Sequence, residues 1–197
     1  GLVKAQLDER GLGCSTLSTG QARGLEGLSL IQAPKDVVEK TQKRFRQHID
    51  AAKYLGSKVT IGLMRGIGTE AAREQNLIDL SEAMKPIISY ADQKGVTLCL
   101  EAINRYETSL LNSAEAALDF IVNRLCNPEC VGILWDLFHA NIEDVSFKQS
   151  LEMMGKKLQH VHIADSNRMF PGYGHTDFAG ILKDVKDSGF EEYCSFE

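Results

Sequence analysis

Four short apolar runs that read as β-strands end in or beside an ionisable residue. They are VTLCLE, VGILWD, HVHIAD and YCSFE, and the ionisable residues are Glu101, Asp136, His162 and Glu197. Side chains alternate between the two faces of a strand, so each of these residues shares a face with the residue two positions earlier. Three carboxylates and one imidazole at strand ends, all facing one centre, would repel strongly in a partly buried site unless a cation were bound. The pattern therefore predicts a divalent metal site.

The same strand-like runs alternate with helical patterns along the whole chain. The strands GCSTLS and SKVTIGLM precede the four runs above, and helical spacing of apolar residues covers about 35–55, 70–94, 113–125, 146–157 and 176–188. This β–α alternation is typical of a parallel sheet. An open doubly wound sheet would carry phosphate-binding glycines after the first strand, and none are present. Ionisable tips on successive strands favour instead an α/β (β/α)8 TIM barrel, whose active site is built from the strand ends.

Composition limits the class of protein. At 197 residues, with 43% hydrophobic and 25% charged residues, the chain is typical of one globular domain over residues 1–197, with no linker that could begin a second. The net charge of −5 argues against nucleic acid and anionic membrane as partners. No apolar stretch approaches the roughly 20 residues that span a bilayer, and five cysteines do not form an even disulfide framework. A cytoplasmic enzyme fits these features best.

Further polar residues follow the strand ends in the loops that build a barrel active site. Glu107 lies six residues after Glu101, His139 three after Asp136, and Arg168 six after His162.

The three segments that carry these residues resemble the ketose 3-epimerases of the xylose isomerase-like barrel superfamily, which act on sugars such as tagatose and psicose. The motifs are E-x-x-N-R-Y-E-T, D-x-F-H-x-N-I-E-x-x-S and H-x-H-I-A-D-S-N-R-x-x-P-G-x-G, and the resemblance runs from about Leu12 to Glu197. It implies a small-molecule sugar substrate and one divalent metal ion, manganese first, with magnesium, cobalt or zinc as alternatives. The implied metal ligands are Glu101, Asp136, His162 and Glu197. The implied substrate-binding residues are Glu107, His139 and Arg168.

The chemistry of epimerisation requires such a set independently of the family. Removing a proton next to a carbonyl leaves an enediolate, whose charge a metal ion can stabilise. An acid/base group is then needed on each face of the reacting carbon, and Glu101 and Glu197 are the predicted catalytic pair.

Counted against the family pattern, GCSTLS corresponds to the third strand and YCSFE to the eighth. A complete barrel typically needs about 250 residues, so we expect a partial barrel of about six β/α units, without counterparts of the first two strands and the last helix. The exact sugar and any homo-oligomeric state are left open.

Other functions share parts of the pattern. Hydroxypyruvate isomerase, inosose isomerases or dehydratases and sugar-phosphate epimerases use a similar scaffold and similar ligands. The apurinic endonuclease of the superfamily requires an additional Asp-x-His pair after the seventh strand, where this chain has His175-Thr176-Asp177, the reverse order. A non-catalytic binding protein would not need the acid/base pair. Of the remaining residues, His160 is predicted to support the site from below, and Arg65 either contacts substrate or lies in a tight turn.

Overall fold

The computed structural model, which describes residues 1–197, contains one six-stranded parallel sheet in which the strands follow sequence order. Each strand pairs with the next along the chain. The strands are β1 (Thr16–Ser18), β2 (Lys58–Ile61), β3 (Leu98–Glu101), β4 (Val131–Asp136), β5 (Leu158–Ile163) and β6 (Cys194–Phe196). β1 and β6 are the two edges of this sheet and are not paired with one another. The predicted incomplete (β/α)8 architecture is confirmed.

Helices precede and connect the strands. They are α1 (Leu2–Glu9), α2 (Gly20–Glu26), α3 (Lys35–Leu55), α4 (Arg73–Lys94), α5 (Ala114–Asp119), α6 (Leu137–Glu143), α7 (Phe147–Met154) and α8 (Phe178–Asp187). A π-helical turn, Phe120–Arg124, continues α5, and short 3-10 turns occupy Leu63–Arg65, Glu70–Ala72 and Gly155–Lys157. The two long helices, α3 and α4, each end at a glycine. Gly56 and Gly95 have φ of 71° and 62°, a left-handed conformation that side chains disfavour.

Three helices were not predicted from the sequence. α1 and α2 are short, with 8 and 7 residues, and bury none of them. α6 was interpreted as a loop, but the Asp136 side chain caps its first turn and so converts the end of β4 directly into a helix.

The core lies between the outer face of the sheet and the surrounding helices. Trp135 on β4 is 1% exposed, its ring meets that of Phe147 on α7 edge-on at 5.6 Å, and its indole nitrogen donates to Asp144. Such an aromatic contact with a satisfied N–H anchors a helix to the sheet. None of the helices combines the length and the apolar composition that crossing a bilayer requires.

The sheet is strongly curled. Lys58 at the start of β2 donates a 2.8 Å hydrogen bond to the carbonyl of Gln159 at the start of β5, three strands away, and forms an ion pair with Glu192. A flat sheet would hold these strands about three spacings of 4.8 Å apart. The curl therefore brings the inner faces of β2 to β6 around a common axis, as in a barrel, and turns their carboxyl ends toward one another.

Candidate metal centre

Four ionisable residues lie at the carboxyl ends of four neighbouring strands. Glu101 is the last residue of β3, Asp136 the last of β4, His162 the next to last of β5, and Glu197 follows β6 directly. Asp136 and His162 are paired across the sheet, whereas Glu101 pairs with Leu134 and His162 with Ser195. Neighbouring strands are thus offset in register, as in a tilted barrel sheet. The four residues therefore reach one point from slightly different positions along the barrel axis.

One potential ligand atom from each of the four residues lies within 4.8 Å of all the others. His162 Nδ1 is 2.6 Å from Glu197 Oε2, 3.6 Å from Asp136 Oδ2 and 3.9 Å from Glu101 Oε1. Glu101, Asp136 and His162 are buried and Glu197 is exposed. Oxygen-rich coordination with a single imidazole suits a divalent cation such as manganese or magnesium. The cluster could hold one metal ion, as the strand ends predicted.

The electrostatics of the cluster are those of a site with too much negative charge. Burial, reinforced by the Glu197 carboxylate, raises the pKa of Glu101 to about 7. Burial opposes protonation of His162, but attraction to Asp136 and Glu197 outweighs it and raises the pKa to about 10. Without a cation, the cluster therefore retains protons that a metal would displace. Three carboxylates and one imidazole whose ligand atoms lie within 4.8 Å of one another are a donor set that fits one divalent metal ion.

Two neighbours orient the carboxylates. Asp136 Oδ1 accepts hydrogen bonds from the backbone N–H groups of Phe138 at 2.7 Å and His139 at 3.0 Å, which leaves Oδ2 for the cluster. Gly62, just after β2, has no side chain where the Glu101 carboxylate lies, because a Cβ there would be 2.6 Å from Glu101 Oε2. Such supporting contacts fix the direction in which a ligand points.

A second group of side chains lines the same cavity. The cavity of about 120 Å³ is lined by Glu101, His162 and Glu197 and also by Glu107, His139 and Arg168, the three residues predicted to bind substrate. Arg168 Nη1 donates to Glu107 Oε1 at 2.7 Å, and the Arg168 guanidinium lies 5.0 Å above the Phe138 ring. Burial lowers the pKa of His139, which favours the neutral imidazole.

The loop that carries Arg168 is organised by Asp165, which is fully buried. Its carboxylate accepts four backbone N–H bonds of 2.7–3.1 Å, from Ser166, Gly172, Gly174 and Thr176. Burial opposes ionisation, but these four donors outweigh it and lower the pKa of Asp165 well below its usual range. Arg168 has a φ of 60°, a left-handed conformation that this loop imposes.

Other residues considered from the sequence lie outside the centre. Arg65 does not contact the cavity. It is fully buried, and its guanidinium donates to the carbonyls of Ile61 and Leu110. His160 lies beneath the site, edge-on to His162 and 2.7 Å from Ser195 Oγ, in the supporting position predicted for it. His175 is exposed and does not line the cavity.

Two residues that position the site were not identified from the sequence. Gly62 was read only as part of a strand, and Asp165 only as part of a motif. The Pro/Gly-rich turn that follows Arg168 was the available signal for Asp165, because glycine N–H groups can converge on a carboxylate.

Known proteins resemble this chain in sequence and in fold. The model of the xylose isomerase-like TIM barrel family matches residues 2–197. An L-ribulose 3-epimerase of Mesorhizobium japonicum is 30% identical over 171 residues, which are 85% of this chain and 57% of that protein. A D-psicose 3-epimerase of Enterocloster bolteae is 32% identical over 124 residues, which are 63% of this chain and 38% of that protein.

Among solved structures, a D-allulose 3-epimerase from Methylomonas sp. in complex with D-allulose superposes with a TM-score of 0.81 at 26% identity. The match covers 100% of this chain and 67% of that structure. The matched segments span 57% of the Mesorhizobium protein and 38% of the Enterocloster protein, so the chain covers only part of the length of these relatives. The chain belongs to the xylose isomerase-like TIM barrel family.

Proposed function

We propose that this protein is a metal-dependent ketose 3-epimerase in which Glu101 and Glu197 are the two acid/base residues. The observation that carries the proposal is the arrangement of two groups of side chains around one cavity. The four ionisable residues have ligand atoms within 4.8 Å of one another. Three of them, Glu101, His162 and Glu197, line the same cavity as Glu107, His139 and Arg168. The named relatives act as ketose 3-epimerases, and this supports the choice of reaction.

In this proposal Glu101, Asp136, His162 and Glu197 hold one divalent cation. When bound, the cation supplies electrostatic stabilisation of the negative charge that develops on the substrate oxygens. It also removes the charge imbalance that keeps the His162 pKa near 10. Manganese is the first choice, since the donor set is mainly oxygen with one nitrogen.

The positions of the two glutamates suit a reaction on two faces of one carbon. Glu101 comes from β3 and Glu197 follows β6, so they are the outermost members of the row of four, with Asp136 and His162 between them. A substrate carbon placed above the row would have one carboxylate on each side. One glutamate would then remove the proton from C3, and the other would return a proton to the opposite face of the enediolate.

The charge of the cavity lining favours a free ketose over a sugar phosphate. Arg168 is the only lysine or arginine that lines the cavity, and Glu107 already neutralises it at 2.7 Å. A phosphate would need a cation or a set of free N–H donors. Hydroxyl groups can instead bond to Glu107 Oε2, which makes no hydrogen bond within the protein.

The proposal is tested with the full-length natural protein, loaded with Mn²⁺ and assayed on free and phosphorylated ketoses, hydroxypyruvate and inosose. We expect C3 epimerisation of a free ketose. Turnover confined to hydroxypyruvate, inosose or a phosphorylated sugar would replace the proposal by the corresponding isomerase or epimerase.

Variants then test the two-base mechanism. Glu101→Gln and Glu197→Gln should each abolish epimerisation in both directions. In either direction one carboxylate removes a proton and the other returns one, so the loss of either residue stops the reaction. Solvent deuterium exchange should persist on the side served by the remaining carboxylate. Glu143→Gln is the matched control, since Glu143 is paired with Arg105 outside the cavity. Near-normal epimerisation by either cavity variant with metal bound would exclude two-base catalysis.

A further inference from the structure

We propose that Asn104 is a positioning residue that holds His139 in the tautomer with its proton on Nε2, so that the ring offers a hydrogen-bond donor to a substrate oxygen. The inference deepens the proposed ketose reaction and rests on it for the identity of the acceptor. Asn104 is 2% exposed and follows β3 by three residues.

The orientation of the Asn104 amide is determined by its neighbours. Its Oδ1 accepts the backbone N–H of Tyr106 at 2.9 Å. Its Nδ2 lies 2.7 Å from His139 Nδ1 and 3.3 Å from Glu107 Oε1. The reversed amide would place NH₂ against the Tyr106 N–H and its oxygen against the Glu107 carboxylate. Two hydrogen bonds would become repulsive contacts in a buried position, so the reversed orientation is excluded.

The amide orientation in turn determines the tautomer of His139. An amide nitrogen can only donate, so the His139 Nδ1 that faces it must be the bare, accepting nitrogen. A neutral imidazole with a bare Nδ1 carries its proton on Nε2. Nε2 makes no hydrogen bond to protein, and His139 lines the cavity. The proton-bearing nitrogen is therefore the one left for a ligand.

The same amide connects the three cavity-lining residues Glu107, His139 and Arg168. Glu107 Oε1 accepts from Asn104 Nδ2 and also from Arg168 Nη1. One buried side chain thus orients His139 directly, holds Glu107, and acts on Arg168 through Glu107. The carbonyl oxygen of a ketose can only accept a hydrogen bond, so it needs the Nε2 donor and would be repelled by a bare Nε2.

The test compares two substitutions of Asn104 that affect the His139 ring differently. Asn104→Asp keeps an acceptor for the Tyr106 N–H but presents an oxygen to Nδ1, so it should move the ring proton from Nε2 to Nδ1. Asn104→Ala removes the donor without favouring the other tautomer. We expect kcat/KM for the ketose to fall about 10-fold in the Ala variant, the value of one hydrogen bond, and about 100-fold or more in the Asp variant. A purely structural role predicts the reverse order, since Asp preserves the shape of the loop.

A direct readout does not depend on the reaction. Nitrogen-15 NMR of labelled histidine in the Mg²⁺-loaded protein distinguishes a protonated ring nitrogen from a bare one. We expect protonated Nε2 in the natural protein and protonated Nδ1 in Asn104→Asp, with unchanged metal content. Asn112→Asp is the matched control. Asn112 donates to the carbonyls of Ile103 and Thr108 in the same loop, so this change should lower stability and leave both the tautomer and kcat/KM unaltered.

Protonated Nδ1 in the natural protein, or an unchanged tautomer in Asn104→Asp, would overturn the inference. So would an Ala variant less active than the Asp variant. The NMR result and turnover separate the two proposals. The expected tautomers without turnover of any ketose would support the role of Asn104 in orienting His139 and would contradict the proposed reaction.

Discussion

Metal binding at the four-residue cluster should be strongly coupled to pH, because the cluster retains protons when no cation is present. The pKa of His162 is raised to about 10 and that of Glu101 to about 7. At pH 7 an incoming divalent ion must therefore displace about one proton from His162 and about half a proton from Glu101. The pKa of His162 lies three units above pH 7, so removing its proton at pH 7 lowers the favourable free energy of metal binding by about 4 kcal/mol.

The sign of the effect follows from the raised pKa of His162. Affinity for Mn²⁺ should increase by about tenfold per pH unit between pH 7 and 9, and more steeply below pH 7, where Glu101 is also protonated. In the metal-free protein, the contribution of His162 to folding stability should be fully present below its unfolded pKa, about 6.5, and should be lost as pH rises through about 10.

Isothermal titration calorimetry in buffers of different ionisation enthalpy measures both the affinity and the number of protons released. We expect release of about 1.5 protons at pH 7 in the natural protein and about one in Glu101→Gln, which removes one titrating group. Glu143→Gln, outside the cluster, should not alter the proton count. Release of fewer than about half a proton, or an affinity that does not change with pH, would refute the electrostatic account of the site.

Three further outcomes follow from the same contacts. Gly62→Ala should weaken metal binding about 10-fold or more without unfolding the protein, because its Cβ would lie 2.6 Å from Glu101 Oε2; metal titration of the purified variant measures this. Asp136→Asn should lose bound metal, seen by elemental analysis, and activity together, and full metal occupancy with intact activity would contradict its role as a ligand. Asp165→Asn should lower the thermal midpoint and raise KM for the substrate, since only one oxygen remains for four N–H donors and the loop holding Arg168 loosens. Because the pKa of Asp165 is lowered in the folded protein, its ionised carboxylate stabilises the natural protein above the unfolded pKa, about 3.9. This stability is lost as pH falls below that value. The Asn variant should not show this loss.

Much of the candidate site could be predicted from local sequence patterns. Alternation along a strand puts Cys99 and Glu101 on one face, and parallel strands place their carboxyl ends at one edge of a sheet. Those two rules predict that Glu101, Asp136, His162 and Glu197 lie together, and the structure places them within reach of one another. Their roles as ligands stay a prediction.

The supporting contacts could not be predicted in this way. Gly62 matters because it lies against Glu101, 39 positions further along the chain. Asn104 and His139 are 35 positions apart, and Arg168 meets Glu107 across 61 positions. For Arg65 the sequence left two alternatives, substrate contact or a tight turn. The fold places it at the end of a 3-10 turn and buries its guanidinium against two carbonyls, which is the second alternative.

The sequence by itself determined which residues end the strands and which face each of them occupies, because both depend on a two-residue period and on neighbouring apolar residues. Only the tertiary structure decided the stagger that pairs Asp136 with His162 but Glu101 with Leu134, and the amide orientation that assigns the His139 proton. Strand register and side-chain hydrogen bonds depend on how distant segments pack around the curled sheet. No local pattern encodes that packing, because each of these contacts joins segments that meet only when the whole sheet has formed.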